Sequence, residues 1–138
     1  MLENLHLGIL IAAVGVIAYA DHQALRYLNG THPVLDRRRT MILHHAVWIL
    51  LAGMILTGVA LAWRGLGFYL AVPAFQLKLF FVGILVVNSF VITRIMPHAF
   101  AVPFAQLPAA QKRAMFVSGL ASGTGWVGAI ALGLYLFF

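Results

Sequence analysis

The stretch MILHHAVWILLAGMILTGVALAW, residues 41–63, decides the fold class of this chain. It contains no aspartate, glutamate, lysine or arginine. It is also long enough to cross a bilayer as a helix, which takes roughly 20 mostly apolar residues. Three other stretches qualify, at about residues 5–27, 75–96 and 109–138, the last being apolar from Met115 onward. The sequence therefore predicts a single domain over residues 1–138, an all-α up-and-down bundle of four transmembrane helices.

The composition supports a membrane protein and excludes several other classes. Hydrophobic residues make up 63% of the chain and charged residues only 9%, whereas soluble domains carry about 25% charged residues. The apolar stretches are continuous rather than alternating, which excludes a transmembrane β-barrel. The chain has no cysteine, so disulfides, thiolate-bound metals and iron–sulfur clusters are excluded.

The net charge of +6 suggests nucleic-acid binding, but the positions of the basic residues argue against it. Seven of the nine lysines and arginines lie in or near the first and third connections. Cytoplasmic connections of membrane proteins carry such an excess. We therefore expect these two connections to be cytoplasmic, both termini to be outside, and the partner to be the lipid bilayer of a bacterial inner membrane. The seven are Arg26, Arg37, Arg38, Arg39, Arg94, Lys112 and Arg113, against Arg64 and Lys78 near the second connection.

Four of the six histidines lie at similar depth on the predicted cytoplasmic side, namely His22, His44, His45 and His98. Two imidazoles from neighbouring helices are the axial ligands that a six-coordinate b-type haem requires. The candidate pairs are His22 with His44 or His45, and His45 with His98. Adjacent residues on a helix point about 100° apart, so at most one of His44 and His45 faces the bundle centre.

Other polar residues at this end complete the candidate haem site. Asp21 is placed to accept a hydrogen bond from a histidine on another helix, and Arg26 and Arg94 are placed to hold haem propionates. Trp48 lies one turn after His44 and shares its face. The alternative is a belt of histidines that simply sit at the water–lipid interface with their polar tips in water. No spacing matches a zinc or copper signature, so no metal is expected beyond haem iron.

Lys78 and Asn88 are the remaining polar side chains within the apolar stretches. Lys78 lies near the outer end of the third helix, where its ammonium reaches the interface. Asn88, near mid-helix, is expected to form hydrogen bonds between helices, and a polar path with Arg94 is the alternative. Helix four carries a small-residue stripe, which predicts packing in the bundle, a homo-oligomer face or a seat for another membrane subunit. The stripe consists of Ser118, Gly119, Ser122, Gly123, Gly125, Ala129 and Gly133.

Two sequence motifs resemble those of known families. RTMILHHAVW at 39–48, followed by LTGVAL at 56–61, resembles the opening of the haem-bearing helix of small b-type cytochromes. The whole chain resembles small four-helix bacterial membrane proteins that are distantly similar to the copper-resistance CopD group. That likeness rests on Lys78, Asn88, RIMP at 94–97 and SGTGWVG at 122–128. It implies the fold and haem or metal handling, but the fourth helix departs from the cytochromes because it has no histidine.

Three function hypotheses follow from the sequence. The first is a small membrane redox subunit for electron transfer that binds one b-type haem near the cytoplasmic face. The second is a non-catalytic accessory or scaffold subunit of a larger membrane complex, suggested by the small-residue stripe. The third is a small transporter or proton path that uses Asn88, Arg94 and the histidines. The sequence assigns no enzymatic reaction.

Overall fold

The structure is a computed structural model that describes residues 1–137. Its long helices are α1 (Leu2–Leu28), α2 (Arg37–Ala62), α4 (Pro73–Ala101) and α5 (Ala109–Phe137), with a short helix α3 (Leu66–Ala71) after α2. Four helical segments are long and apolar enough to cross a membrane, the second of them running from α2 through α3. The predicted all-α architecture with four helices of membrane-spanning length and composition is thus confirmed.

The helices extend beyond the apolar stretches from which they were predicted. α2 begins at Arg37 because the Asp36 carboxylate accepts a hydrogen bond from the Arg39 N–H at 2.7 Å, as a helix N-cap does. α4 continues through Pro97, where the sequence predicted its end. Proline removes only one helical hydrogen bond. Beyond Pro97, the end of the helix is held by the Val102 N–H, which donates to the His98 carbonyl at 3.2 Å, and by the Leu35 N–H, which donates to the Ala99 carbonyl at 2.9 Å. The second connection, which the predicted helices leave between residues 63 and 75, contains α3.

The long helices form two antiparallel hairpins, α1 with α2 and α4 with α5. In the α1/α2 hairpin, His6 near the start of α1 meets Thr57 near the end of α2. In the α4/α5 hairpin, the helices approach closely, since a Cβ built on Gly128 would lie 2.6 Å from the Phe81 ring. The two hairpins touch each other chiefly through α2 and α4.

Two buried clusters divide the bundle along its length. The first, which we call the apolar plug, takes one buried side chain from each long helix, namely Ala13, Leu51, Leu85 and Trp126. The second closes the end of the bundle that carries Arg37, Arg38 and Arg39, which we call the basic end. This basic-end cap is built on Tyr27, Ala99 and Leu107.

The basic-end cap joins the first connection to the third. Tyr27, 2% exposed, donates a hydrogen bond from its hydroxyl to the Val102 carbonyl at 2.6 Å. The Leu35 N–H donates to the Ala99 carbonyl at 2.9 Å. These two hydrogen bonds hold the first and third connections together at the basic end.

Candidate functional site

A cavity of about 200 Å³ lies between the two hairpins. Its wall includes Trp126 of the apolar plug at one end and Tyr27 of the basic-end cap at the other, and all four long helices contribute to it. Most of the lining is aliphatic. The polar side chains on the wall are Asp21, Gln23, Thr40, His44, Ser89, Ser118 and Ser122.

The cavity opens sideways, between α1 and α5. These two helices belong to different hairpins and do not pack along one another. The lining residues Asp21 and Ala24 on α1 and Gly119 on α5 remain exposed, whereas His44 on α2 and Ser89 on α4 are buried. The floor of the cavity is therefore formed by α2 and α4, and its mouth faces the outside of the bundle.

His44 is held on the cavity floor by two partners. Its side chain is 9% exposed, and its Nε2 lies 3.2 Å from Trp48 Nε1 and 2.8 Å from Thr93 Oγ1. The indole N–H only donates, so in this bond the histidine Nε2 accepts and its Nδ1 carries the proton. The Thr93 hydroxyl has one proton to share between Nε2 and the Ser89 carbonyl, 2.9 Å away. The ring is thus fixed by its Nε2 edge, and Nδ1–H is its remaining donor.

The other three candidate haem ligands lie elsewhere. His45 is exposed, and its ring centroid is 6.4 Å from that of His44 at a tilted angle. His22 and His98 are also exposed, and neither lines the cavity. The choice that the sequence left open between the two adjacent histidines is therefore settled by burial, because His44 faces the bundle interior.

The residues around the cavity do not fit a haem with two histidine ligands. The cavity offers His44 alone, and its Nε2 is engaged by Thr93 and Trp48. Small-molecule sites usually measure about 300–1,000 Å³, so this cavity is too small for a macrocycle without separation of the hairpins. Within residues 1–137, no group of three or more His, Cys, Asp or Glu side chains is arranged to hold a metal ion. The haem prediction gains no support from this geometry.

The remaining residues of the predicted site are divided between the cavity and the surface. Asp21 lies on the cavity wall at the mouth, but Arg26 and Arg94 do not line the cavity. Trp48 packs edge-on against Phe90, with ring centroids 5.0 Å apart. Trp48 therefore joins α2 to α4 as well as bonding to His44.

Asn88 and Ser118 form a buried pair across the α4/α5 hairpin. The Ser118 hydroxyl donates to Asn88 Oδ1 at 2.7 Å, and Asn88 Nδ2 donates to the Ser118 carbonyl at 3.1 Å. This pair has the geometry of a packing contact between helices. Gly125, from the small-residue stripe, is buried in the same hairpin against Leu85.

A second polar cluster lies at the opposite end of the bundle. His6 Nδ1 lies 2.6 Å from Thr57 Oγ1, and the Thr57 hydroxyl donates to the Gly53 carbonyl at 2.7 Å. The threonine proton is thereby used, so His6 donates to Thr57. Lys78 approaches from α4 and its Nζ would lie 3.4 Å from a Cβ built on Gly133. The sequence did not pair His6 with Thr57, because only the antiparallel register of α1 and α2 brings them together.

The apolar plug separates the two polar regions. Thr57 lies thirteen positions after His44, or about 20 Å along α2 at about 1.5 Å per residue. Leu51 and Val47, which belong to or pack against the plug, lie between them. In the described residues, the structure therefore holds two polar regions separated by buried apolar side chains.

Comparisons with known proteins give no family for this chain. It matches no protein-family model, and neither the curated proteins nor the solved structures give a match. Its function is therefore inferred from the cavity and the residues around it.

Proposed function

We propose that this chain is an integral membrane protein that binds a small lipid-soluble molecule in the cavity between its two hairpins. The observation that carries the proposal is the cavity, with its largely apolar wall and its mouth between α1 and α5. Apolar pockets with a few convergent polar groups are typical of small-molecule sites. A volume of about 200 Å³ suits a headgroup or a short molecule. If the ligand carries a longer apolar tail, that tail extends through the mouth of the cavity into the bilayer.

The distribution of charge supports one orientation in the membrane. Arg37, Arg38 and Arg39 begin α2 at the basic end. Lys112, near the start of α5, lies there too, with its ammonium 5.7 Å from the centroid of the Phe104 ring. An excess of basic residues marks the cytoplasmic side. The basic end is thus cytoplasmic, both termini are outside, and the cavity lies in the cytoplasmic half of a bacterial inner membrane.

His44 is the residue best suited to orient a ligand's polar group. Its ring is already fixed by Thr93 and Trp48, so binding a ligand does not require it to lose further rotational freedom. Because its Nε2 accepts the Trp48 N–H, its Nδ1 carries the proton and is a hydrogen-bond donor. The buried position of the ring strengthens any such bond, because the surroundings are less polar than water.

The proposal is tested by fluorescence quenching of Trp126, which lies on the cavity wall. The chain has three tryptophans. Replacing Trp63→Phe removes the exposed one and keeps the Trp48–His44 bond, and the same titration of the double variant Trp63→Phe/Trp126→Phe gives the contribution of Trp48. The protein is reconstituted into phosphatidylcholine vesicles and titrated with a bromoalkyl alcohol, whose bromine quenches tryptophan on contact. We expect saturable quenching, which Gly119→Leu at the mouth abolishes.

Gly123→Leu is the matched control for this experiment. Gly123 lies on the same helix, does not line the cavity, and has open space around an added Cβ. This variant should keep the saturable quenching of the parent protein. Quenching that rises in proportion to probe in the lipid, and equally in all three proteins, would overturn the proposal.

The redox hypothesis makes a different prediction for the same protein. After the purified protein has been supplemented with haem and unbound haem has been removed, its visible spectrum should contain no Soret band if the cavity binds small lipid-soluble molecules as it stands. A Soret band that is present in the parent protein and absent in His44→Ala would overturn our proposal and indicate that the protein is a membrane redox subunit. The accessory-subunit and transporter hypotheses stay predictions, because no contact in the structure favours either.

A further inference from the structure

Among the described residues of the cavity wall, Asp21 is the one acidic side chain, and no lysine or arginine accompanies it. We infer that the cavity selects amphiphiles with a positively charged ammonium headgroup, which the Asp21 carboxylate holds at the mouth. The inference rests on the proposed function and specifies the chemical class of its ligand.

Asp21 differs from the other two carboxylates of the chain in having no evident structural task. Asp36 caps α2 through its bond to the Arg39 N–H. Glu3 lies in the first turn of α1, where the helix dipole favours negative charge. Asp21 lies well inside α1, away from both of its ends. Ionisable residues within membrane segments are costly and mark ligand or ion sites by default.

The position of Asp21 suits a ligand that enters from the lipid. Asp21 lies at the mouth, where it remains exposed, while His44 lies deeper on the buried floor. Gly119, across the mouth on α5, has no side chain, and a Cβ built on it meets nothing within 4 Å. A headgroup passing between α1 and α5 therefore meets the carboxylate without obstruction.

The charge of the cavity discriminates between headgroups. A cation entering it gains a direct ion pair, which offsets part of the cost of losing its hydration. An anion meets the repulsion of Asp21 and finds no lysine or arginine among the described residues of the wall. A neutral headgroup gains hydrogen bonds only. The expected order of affinity is ammonium, then alcohol, then sulfate.

Three probes that share one brominated alkyl chain test this order, namely a trimethylammonium, an alcohol and a sulfate. Each is titrated into the Trp63→Phe protein in neutral phosphatidylcholine vesicles, with its concentration expressed per lipid after correction for partitioning. We expect the ammonium to half-saturate the quenching at about a tenfold lower concentration than the alcohol, equivalent to about 1.4 kcal/mol. The sulfate should give no saturable quenching.

Two variants assign the preference to Asp21. Asp21→Asn should bring the ammonium to the level of the alcohol while leaving the binding of the alcohol unchanged, which also shows that the variant is folded. Glu3→Gln removes a carboxylate at the far end of the same helix and should change neither affinity. The comparison of the three probes on the parent protein stands even if Asp21→Asn does not fold.

The outcomes separate this inference from the proposed function. Equal affinity for ammonium and alcohol, or an ammonium preference that survives Asp21→Asn, overturns the inference and leaves the cavity as a binding site for neutral molecules. Saturable binding of the sulfate likewise overturns it. Failure of all three probes to give saturable quenching overturns the inference and the proposed function together.

Discussion

Gly128 lies at a very close approach between α4 and α5. A Cβ added there would lie 2.6 Å from two carbons of the Phe81 ring and 2.8 Å from a third. These are carbons of a rigid ring rather than the end of a flexible chain, so the helices must separate to make room. Gly123 lies on the same helix, and an added Cβ meets nothing within 4 Å there.

Gly128→Ala should therefore destabilise the protein by about 1–3 kcal/mol, the usual effect of overfilling a packed contact. Gly123→Ala should be neutral or stabilising by up to about 1 kcal/mol, because alanine favours helix over glycine. Thermal unfolding of the two variants in the same detergent measures the difference. Equal melting temperatures would show that α4 and α5 do not meet at Gly128.

The environment of His44 shows which contacts of one residue can be predicted from sequence. Trp48 lies four positions later on the same helix, so the sequence alone places the two rings on one face, and they bond at 3.2 Å. The Thr93 bond was not predictable, because Thr93 lies on α4 and no local pattern sets the rotation of α4 against α2. The same limitation left the choice between His44 and His45 open, and it allowed His22 and His98 to be included in a cluster from which the structure separates them.

At the scale of helices and connections, Tyr27 joins the end of α1 to the segment after α4. Its hydroxyl donates to the Val102 carbonyl at 2.6 Å, and its ring packs edge-on against Phe104 at 6.0 Å. This contact is the main polar link between α1 and the third connection. It orders a region that the sequence presents only as loops rich in proline and aromatic residues.

Tyr27→Phe should loosen this end of the bundle while leaving the helices intact. The variant loses one hydrogen bond, worth about 1 kcal/mol, and retains the ring contact. Hydrogen exchange should become faster in the amides of residues 28–36 and 102–107. Tyr135→Phe, whose side chain is 73% exposed on α5, should leave those rates unchanged. Unchanged exchange in Tyr27→Phe would mean that the connections are held by other contacts.

The number of long helices was predictable because a continuous apolar stretch has few other stable conformations in lipid. Their ends were less predictable. Pro97 is a strong signal for the end of a helix in water, but the structure continues α4 to Ala101, where the basic-end cap holds it through Leu35. α3 also escaped prediction, because a six-residue helix has too short a sequence pattern to stand out.

At the scale of the whole molecule, the proposed orientation makes a direct prediction, and the absence of cysteine makes it simple to test. Single cysteines are introduced as Asn29→Cys in the first connection and Gly67→Cys in α3, both at exposed positions. A membrane-impermeant maleimide added to intact spheroplasts should label Gly67→Cys. Asn29→Cys should be labelled only after the membrane is disrupted, because basic residues keep its connection in the cytoplasm.

The cysteine-free parent gives the background for this labelling. If Asn29→Cys were labelled in intact spheroplasts and Gly67→Cys were not, the protein would have the opposite orientation, with the cavity in the outer half of the bilayer. Equal labelling of both positions in intact spheroplasts would contradict insertion of the four helices altogether.

The division into two hairpins was not predictable from the sequence. Short connections make sequential helices antiparallel neighbours, which accounts for the pairing of α1 with α2 and of α4 with α5. They do not determine whether α1 and α5 close the bundle on the fourth side. That depends on the fit of the two faces, and small residues such as Gly119 leave the space there unfilled.

Because this fourth side is incomplete, we expect the two hairpins to be able to rotate against each other. The contacts of α2 with α4, including the His44–Thr93 bond, would form the axis of that rotation, and α1 and α5 would move apart. The His6–Thr57 and Asn88–Ser118 bonds each lie within one hairpin, so they survive a rotation about that axis. Apart from the His44–Thr93 bond, the hydrogen bonds that cross between the hairpins in residues 1–137 are those of the basic-end cap. We therefore expect a ligand larger than this cavity to be accommodated by rotation of the two hairpins, opposed mainly by the hydrogen bond from Tyr27 to the Val102 carbonyl.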